Sequence, residues 1–417
     1  MSMKGKKFSQ HTSNSFFETK MDFLIPIIPN NKLEIFSKIF RNEIIAALHN
    51  QPTSLPVILN PIHKMISRPG LGVAVSVGGT NGYASAFRIT QKGIITFINR
   101  KKFSIPKIID KNKLFHLISE NILSVIGKEK NFTIGIGLAY PLKPHLYQGF
   151  IDGELLYMTK GRNIKNLAGK RVGQEFHKFI LKEYNLDNKV AVANDVICLL
   201  LGGENIEIAG IVGTGLNFAY WEKRANIAPL KLNHLPGFGQ REVAVNIESQ
   251  NFNKLPETKL RRTVDKYSSD PGKSLAEKEA AGAYLYQIFN AGKDKLLGTD
   301  FPKLTSTDQL NDIIRGAFRN ENPNFKIQIP KARAFAERIL HRSAQITAIE
   351  LCGIMMKLGK TKGAVPVVME GGIFWKAHNY HALVNLYVNM ILPEVIPSFA
   401  RLFGSSRRGI AILARGM

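Results

Sequence analysis

A hairpin with glycines in its turn occurs twice in this chain, and it constrains the fold more than any other feature. The first runs from GVAVSV (72–77) through the turn GGTN into YASAFRI (83–89), and the second lies within IEIAGIVGTGLNFAYWE (206–222). Glycine turns let backbone N–H groups approach a phosphate closely. A plain hairpin turn is the alternative for either segment alone. Two such turns, each opening one half of the chain, favour a phosphate ligand held between two lobes.

Helices and strands alternate after each hairpin. The first half continues with predicted elements at 93–99 (strand), 111–127 (helix), 132–138 (strand), 166–183 (helix) and 190–194 (strand). The second half continues with strands at 242–248 and 365–372 and helices at 274–292, 308–317, 331–357 and 379–391. A helix over 31–50 with an Asn31/Glu34 capping box, and a Pro- and Ser-rich connection at 51–61, precede both halves. This order predicts a duplicated α/β fold.

Length and cysteine content exclude several classes of protein. The 417 residues exceed one ordinary core, and 44% of them are hydrophobic, which favours a globular chain with two or more units. Only Cys198 and Cys352 are present, both in apolar runs, so a disulfide framework and a cysteine zinc site are excluded. No apolar run is long enough for a membrane span, and the N-terminus lacks the apolar centre of a signal peptide. We therefore expect a cytoplasmic protein whose residues 1–20 form a flexible tail.

The chain is strongly basic. Lys and Arg number 57 against 32 Asp and Glu, a formal net charge of +25. Such a charge favours phosphorylated ligands, anionic membranes or nucleic acid. No nucleic-acid-binding module is present and the cations are scattered, so we expect neither a nucleic-acid nor a membrane partner. We assign much of the excess to basic surface loops at 99–113, 254–262 and 405–409.

Three carboxylates stand out against apolar surroundings. Asp195 follows the strand VAVAN directly, a position suited to catalysis at the crevice of an α/β sheet, although it also suits a helix cap. Glu248 ends the strand EVAVNIE, and Glu277 lies in a helix where it could equally be solvated. The histidines lack zinc-ligand spacing. Neither glycine turn is followed by Lys-Ser/Thr, which excludes a Walker-type loop.

Taken in order from about residue 70 to the C-terminus, eight segments resemble the motifs of the hexokinases, including glucokinase. They are SVGGTN (76–81, family DxGGTN), GLAYP (137–141, FSFP), MTKGR (158–162, WTKGF), ANDV (193–196, VNDT), GTGLNFAY (213–220, GTGxNAxY), NIESQNF (246–252, NTEWGNF), the stretch 255–285 with VDKYSSDPGKSLAEKEAAGAYL, and EGGIFWKAHNY (370–380, DGSVYxxHPxF).

The resemblance implies an α/β, two-lobed actin-like ATPase (ribonuclease H-like) fold with a sugar and nucleotide cleft between the lobes. It implies a small lobe of residues 62–196 with 404–417 and a large lobe of 21–61 with 197–403. It also implies ATP as the phosphoryl donor, with Mg²⁺ carried by ATP rather than held directly by protein ligands.

The resemblance further implies roles for individual residues. Asp195 corresponds to the catalytic base for the sugar 6-hydroxyl, and Lys160 to the cation at the reacting end, with Thr159 beside it. The remaining sugar contacts would be Tyr140, Asn194, Asn217, Glu248 and Glu277. The nucleotide phosphates would lie on Gly78, Gly79, Thr80, Asn81, Gly213, Thr214 and Gly215, and the adenosine on Gly371 and Gly372.

Several positions depart from the family motifs. The aspartate of DxGGTN, which organises the magnesium–water shell, is Ser76; a serine brings no charge, which implies weaker metal–nucleotide binding or a lower rate. The FSFP serine is Ala139, a sugar-contacting glutamine is Ser274, the adenosine-side serine is Gly372, and Trp-Gly of the TEWG motif is Ser249-Gln250. These changes leave the preferred sugar open.

The sequence therefore predicts a hexokinase-type enzyme that phosphorylates glucose or a related hexose on the 6-hydroxyl. Two alternatives remain. Ser76 and the positive charge also suit a sugar-binding sensor or regulator with little catalysis. A basic cleft also suits a glucokinase that uses inorganic polyphosphate.

Overall fold

The computed structural model describes residues 5–62, 68–158, 162–233, 235, 241–319, 325–401 and 404–416, with backbone alone at 5–14, 325–327 and 405. The predicted site residues Thr159 and Lys160 lie outside the described residues. None of the described helices combines the length and apolar character needed to cross a membrane.

The helices are α1 (Gly5–Leu24), α2 (Asn30–Leu48), α3 (Lys111–Ile126), α4 (Val172–Tyr184), α5 (Asp195–Gly202), α6 (Pro229–Leu232), α7 (Lys259–Lys266), α8 (Glu277–Ala280), α9 (Leu285–Leu296), α10 (Thr307–Arg315), α11 (Phe325–Lys357), α12 (Gly372–Lys376), α13 (Tyr380–Ile391) and α14 (Ser405–Arg415). The strands are β1 (Ile58–Asn60), β2 (Gly70–Val77), β3 (Asn81–Ile89), β4 (Ile95–Ser104), β5 (Ile108–Asp110), β6 (Thr133–Leu138), β7 (Leu142–Tyr147), β8 (Phe150–Leu155), β9 (Asn163–Lys165), β10 (Val190–Asn194), β11 (Ile208–Val212), β12 (Leu216–Lys223), β13 (Glu242–Asn246), β14 (Gly363–Glu370) and β15 (Val395–Ala400).

The first half of the chain builds a five-stranded sheet in the order β10-β6-β2-β3-β4. The predicted hairpin β2–β3 and its third strand β4 are confirmed as an antiparallel group. Strands β2, β6 and β10 run parallel, and Leu138 pairs with both Val77 and Asn194. The carboxyl ends of these three strands therefore meet at one edge of the sheet, where the glycine turn of residues 78–81 also lies.

The second half builds a six-stranded sheet in the order β1-β13-β12-β11-β14-β15. It too contains an antiparallel hairpin, β11–β12, beside the parallel strands β14 and β15. The predicted repetition of the hairpin is thus confirmed at the level of topology. The helix predicted over 274–292 is divided into α8 and α9, because the backbone at Gly282 turns to donate a hydrogen bond to the Gly213 carbonyl at 2.7 Å.

Two helices lie between the sheets. The apolar α5 follows β10 without a loop and packs against β11 and β12, while α14 packs on α5, β2 and β6. Close contact requires a glycine, because a Cβ on Gly409 would lie 1.6 Å from the Cys198 carbonyl oxygen. The prediction of a basic loop at 405–409 is wrong here: these residues begin α14, whose apolar face is buried.

Other differences have local causes. Helix α1 covers much of the predicted flexible tail, since Phe17 and Met21 on it are buried in the core of the second sheet. Helix α2 begins after Pro29, with no side-chain cap, so the Asn31 capping box is wrong. The other basic segments predicted as loops also lie partly in regular elements, namely β4, β5, the start of α3, and α7.

Replacing Gly409 by alanine is expected to destabilise the protein by about 3 kcal/mol, because α14 and α5 must separate to admit a methyl group. The measurement is the free energy of unfolding in urea. Arg408→Ala on the same helix is the control, since its exposed ion pair with Glu204 is expected to contribute less than about 1 kcal/mol. Equal stability of the two variants would contradict this packing.

Glu350 is a fully buried carboxyl group in the middle of α11. Burial raises its pKa well above the usual range, and the nearby Ser249 hydroxyl opposes that shift only in part. The folded protein therefore holds a proton that the unfolded chain releases at a lower pH. The contribution of this proton to the free energy of unfolding is therefore highest at pH values below the ordinary pKa range of glutamate. It falls progressively as the pH rises above that range.

We expect Glu350→Gln to remove this pH dependence. The difference in unfolding free energy between the variant and the wild type should increase with pH by about 1.4 kcal/mol per pH unit, for as long as the folded carboxyl stays protonated. Urea unfolding at pH 5, 6, 7 and 8 measures it. Glu337→Gln, on an exposed face of the same helix, is the control, and parallel curves for wild type and Glu350→Gln would refute the assignment.

Candidate active site

Asn194 and Asp195 stand where β10 passes directly into α5. The Asn194 Oδ1 accepts the Val196 N–H at 2.9 Å and its Nδ2 donates to the Tyr140 carbonyl at 3.0 Å. Asn194 is therefore the N-cap residue, and the Asp195 Oδ1 accepts the same Val196 N–H at 2.9 Å, so both side chains bind the start of α5. Asp195 is the first residue of the helix, half-buried at the edge where the parallel strands end.

A second group of polar side chains comes from β12 and from the end of β13. The Glu248 Oε1 accepts hydrogen bonds from the Asn246 Nδ2 at 2.6 Å and the Asn217 Nδ2 at 3.5 Å. The Asn217 Oδ1 accepts the Ser249 N–H at 3.2 Å. Glu248 adopts a left-handed backbone with φ 55°, a costly conformation for a non-glycine residue. The network thus fixes a buried carboxylate in one direction.

Glu277 supplies a third carboxylate, at the first position of α8. It is 1% exposed, and its Oε1 accepts the Leu216 N–H at 3.2 Å. The alternative of a solvated helix residue is therefore wrong. Because Leu216 begins β12 directly after the second glycine turn, this hydrogen bond ties α8 to the turn.

These groups line one cavity. Its walls are Ala139, Tyr140, Pro141, Asn194, Asp195, Ile211, Gly215, Leu216, Asn217, Glu248, Gln250 and Glu277. The structure thus gathers all the predicted sugar contacts that it describes, from both halves of the chain. The space open to the centre of a water molecule is about 20 Å³, on the order of a single water-sized sphere.

Tyr157 adds a phenol near the same carboxylates. Burial, with Glu248 and Glu277 nearby, raises its pKa to about 12, and the Asn251 Nδ2 lies 3.3 Å from its hydroxyl. The phenol is therefore neutral at physiological pH and available as a hydrogen-bond donor.

The two glycine turns face each other. Within the first, the Gly78 N–H donates to the Asn81 carbonyl at 3.1 Å, and within the second the Gly213 N–H donates to the Gly215 carbonyl at 2.9 Å. A Cβ on Gly79 would lie 3.4 Å from the Thr214 methyl carbon. The predicted phosphate-binding segments therefore approach each other from opposite sheets.

Gly371 and Gly372 adjoin the second turn. A Cβ on Gly371 would lie 2.1 Å from the Val212 carbonyl oxygen, and the φ of 117° at Gly371 also requires glycine. A Cβ on Gly372 would meet nothing within 4 Å. The backbone there is close-packed on one side and borders open space on the other, which suits the adenosine end of a nucleotide.

Sequence reasoning missed Arg162. Its Nη2 donates to the Thr80 hydroxyl and its Nη1 to the Ile105 carbonyl, both at 3.2 Å. Its Nε would lie 3.6 Å from a Cβ on Gly79. Neither of these two hydrogen-bond partners is an acidic group. The signal was an arginine where the WTKGF motif has phenylalanine.

Magnesium that arrives on the nucleotide is compatible with the residues described at this site. In the described part of the chain, no three His, Cys, Asp or Glu side chains are grouped to hold a metal ion. Ser76, near the end of β2, is half-buried and uncharged. Mg²⁺ usually keeps several waters and binds substrate phosphates, so the facing glycine turns are compatible with metal that arrives on ATP.

Comparisons with known proteins agree with this geometry. Two family models, both described as hexokinase, match residues 26–204 and residues 207–292 with 298–414. Hexokinase-1 of Spinacia oleracea is 28% identical over 73% of this chain and 70% of its own length, and hexokinase-2 of Solanum tuberosum is 26% identical over 93% and 88%. The structure of Schistosoma mansoni hexokinase complexed with glucose superposes with a TM-score of 0.81 at 21% identity, covering 96% of this chain and 99% of that one. The chain thus has the two-lobed actin-like ATPase fold and belongs to the hexokinase family.

Proposed function

We propose that this hexokinase transfers the γ-phosphoryl group of ATP to the 6-hydroxyl of glucose or a related hexose, with Asp195 as the base. The observation that carries the proposal is the position of Asp195. It shares one cavity with the buried Glu248 and Glu277, and this cavity extends to Gly215 in the second glycine turn. A sugar held by the two glutamates would therefore place its 6-hydroxyl between the Asp195 carboxylate and a phosphate-binding turn.

The sugar would be held by carboxylates and amides. Asn217, Glu248 and Glu277 are fixed by hydrogen bonds to their own surroundings before any ligand enters. Each carboxylate accepts several hydrogen bonds. A site of this kind rejects analogues that lack a hydroxyl, because a buried polar group is then left unpaired.

The donor phosphates would lie between the turns of residues 78–81 and 213–215. Backbone N–H groups at glycines can approach phosphate oxygens, and Arg162 adds a cation beside the first turn. Mg²⁺, when bound to ATP, neutralises part of the phosphate charge. Lys160, with Thr159, is assigned to the reacting end by the motif that it shares with the family.

The phosphoryl transfer from ATP to the sugar needs no further reactant. Asp195 accepts the proton of the sugar 6-hydroxyl, the oxygen forms a bond to the γ-phosphorus, and the bond from that phosphorus to the ADP oxygen breaks. The products are hexose 6-phosphate, ADP and a proton. Phosphoryl transfer depends mainly on positioning and charge stabilisation, which the rigid carboxylate network and the glycine turns would supply.

We assign the small lobe to residues 62–196 with 404–417 and the large lobe to 21–61 with 197–403. Membership of the two sheets and the packing of α14 on β2 and β6 support this division. Closure of the lobes around the sugar would exclude water that would otherwise accept the phosphoryl group. A cytoplasmic location stays a prediction of the sequence.

Asp195→Asn keeps the shape of the side chain and removes the base. We expect kcat for hexose phosphorylation to fall by about 10²- to 10⁴-fold, with the KM for the sugar changed only a few-fold. A coupled assay over several hexoses measures both values. Glu207→Gln, which removes an exposed carboxylate paired with Lys360, is the control, and a variant as fast as wild type would overturn the mechanism.

A sensor with little catalysis is the second candidate, favoured by the neutral Ser76 at the phosphate side. Calorimetry separates the two functions: tight sugar binding without nucleotide binding would support the sensor.

A polyphosphate-using glucokinase is the other alternative. Inorganic polyphosphate is compared with ATP as the donor in the coupled assay at low and high salt, since use of a polyanion should fall steeply as salt rises.

Arg162→Met removes the guanidinium while keeping a long side chain. We expect the KM for ATP to rise about tenfold to a hundredfold, since a charge-assisted hydrogen bond contributes about 1.5–3 kcal/mol. The loss of affinity should be larger for ATP than for AMP, whose affinity is measured as an inhibition constant, because AMP lacks the β- and γ-phosphates. A purely structural clasp of the turn would weaken both equally. Lys165→Met, an exposed cation three residues later, controls for net charge, and an unchanged KM for ATP would refute the assignment.

A further inference from the structure

Gln250 lies in the wall of the sugar cavity and has a half-satisfied amide. Its side chain is 95% buried, and its Nε2 donates to the Glu248 Oε2. Its Oε1 is buried and accepts no hydrogen bond from any residue that the structure describes. A buried carbonyl oxygen without a donor is costly, so this atom points to a ligand that the cavity would supply.

The orientation of the amide follows from its neighbour. A carboxylate only accepts hydrogen bonds, so the NH₂ group of Gln250 must face Glu248. The carbonyl oxygen is then directed away from Glu248 and remains available as an acceptor. The hydroxyl groups of a hexose are donors of the matching kind.

A second position explains why an amide would be needed here. The family motif has glycine where this chain has Gln250, and a sugar-contacting glutamine where it has Ser274. Ser274 is 2% exposed, its φ is 50°, and its Oγ also lacks a partner among the described residues. The Ala276 N–H donates to the backbone carbonyl of Gln250 at 3.1 Å, so the two segments adjoin. An amide missing from one segment is thus present on its neighbour.

We propose that Gln250 is a sugar-specificity residue: its Oε1 accepts a hydrogen bond from one hydroxyl of the bound hexose while its Nε2 keeps Glu248 in place. This inference rests on the proposed hexose site. It also gives a reason for the narrow cavity, because a glutamine replaces the smallest residue at a wall that the sugar must contact.

The test compares the wild type with Gln250→Met, which has a similar length but no amide. The probes are glucose and its 1-, 2-, 3- and 4-deoxy analogues, and the readout is kcat/KM for each. We expect the wild type to discriminate at least tenfold against the analogue that lacks the partner hydroxyl, and Gln250→Met to lose most of that preference. Discrimination against analogues that lack a hydroxyl held by neither Gln250 nor Glu248, and the KM for ATP, should stay within about twofold.

Two further variants keep the result interpretable. Gln287→Met removes a half-buried glutamine that donates to the Ala283 carbonyl of its own helix region and should leave discrimination unchanged. If Gln250→Met does not fold, Gln250→Gly, which restores the motif residue, is measured instead. A loss that is equal for glucose and all four analogues would show a purely structural role and overturn the proposal.

Failure of the proposed function is distinguishable from failure of this inference. If the wild type transfers no phosphoryl group but binds glucose in calorimetry, the kinase proposal fails, and the same five sugars test Gln250 by binding affinity. If the wild type binds none of the five sugars, both proposals are overturned.

Discussion

The side chain of Asn194 joins the parts of the molecule on which the site depends. By capping α5 and holding the Tyr140 carbonyl, it links the end of β10, the start of a helix that packs on both sheets, and the loop after β6. Asp195 gains its position from this junction, because no loop separates strand from helix. A carboxylate placed this way needs little reorganisation when a substrate arrives, which is what positioning catalysis requires.

The opposite wall of the cavity, around Glu248, is held by side-chain hydrogen bonds rather than by the start of a helix. Glu248 lies in a left-handed backbone conformation, and hydrogen bonds from Asn246 and Gln250 hold its carboxylate. The strain is sustained by this network, so the direction of the carboxylate depends on neighbouring amides rather than on a regular element. A change at position 250 therefore removes a hydrogen bond to Glu248 directly, whereas changes in the outer strands reach this wall only through stability.

Much of the fold could be predicted from the sequence because it is local. Alternating strands, the two hairpins and long apolar helices follow from periodicity. Helix α14 was missed because its first residues are a basic cluster, and its burial against α5 depends on Gly409, a contact across more than 200 residues. The gathering of Glu248 and Glu277 beside Asp195 was implied by motif order alone, since no local pattern encodes contact between separate sheets. The roles of Arg162 and Gln250 could not be predicted from the sequence, because they depend on the residues that surround these side chains in the folded protein.

Two departures from the family motifs change the charge near the first glycine turn. Relative to the family motifs, Ser76 removes a negative charge and Arg162 adds a positive one, and both lie at the same carboxyl edge of the first sheet or beside its glycine turn. In a cleft of low dielectric constant such a change strengthens attraction to phosphate oxygens. It also weakens the protein's own hold on a metal's water shell, since serine carries no charge. Under the proposed function, the site would therefore depend more on direct contact with the phosphates and less on the metal that they carry, and the net charge of +25 would act in the same direction.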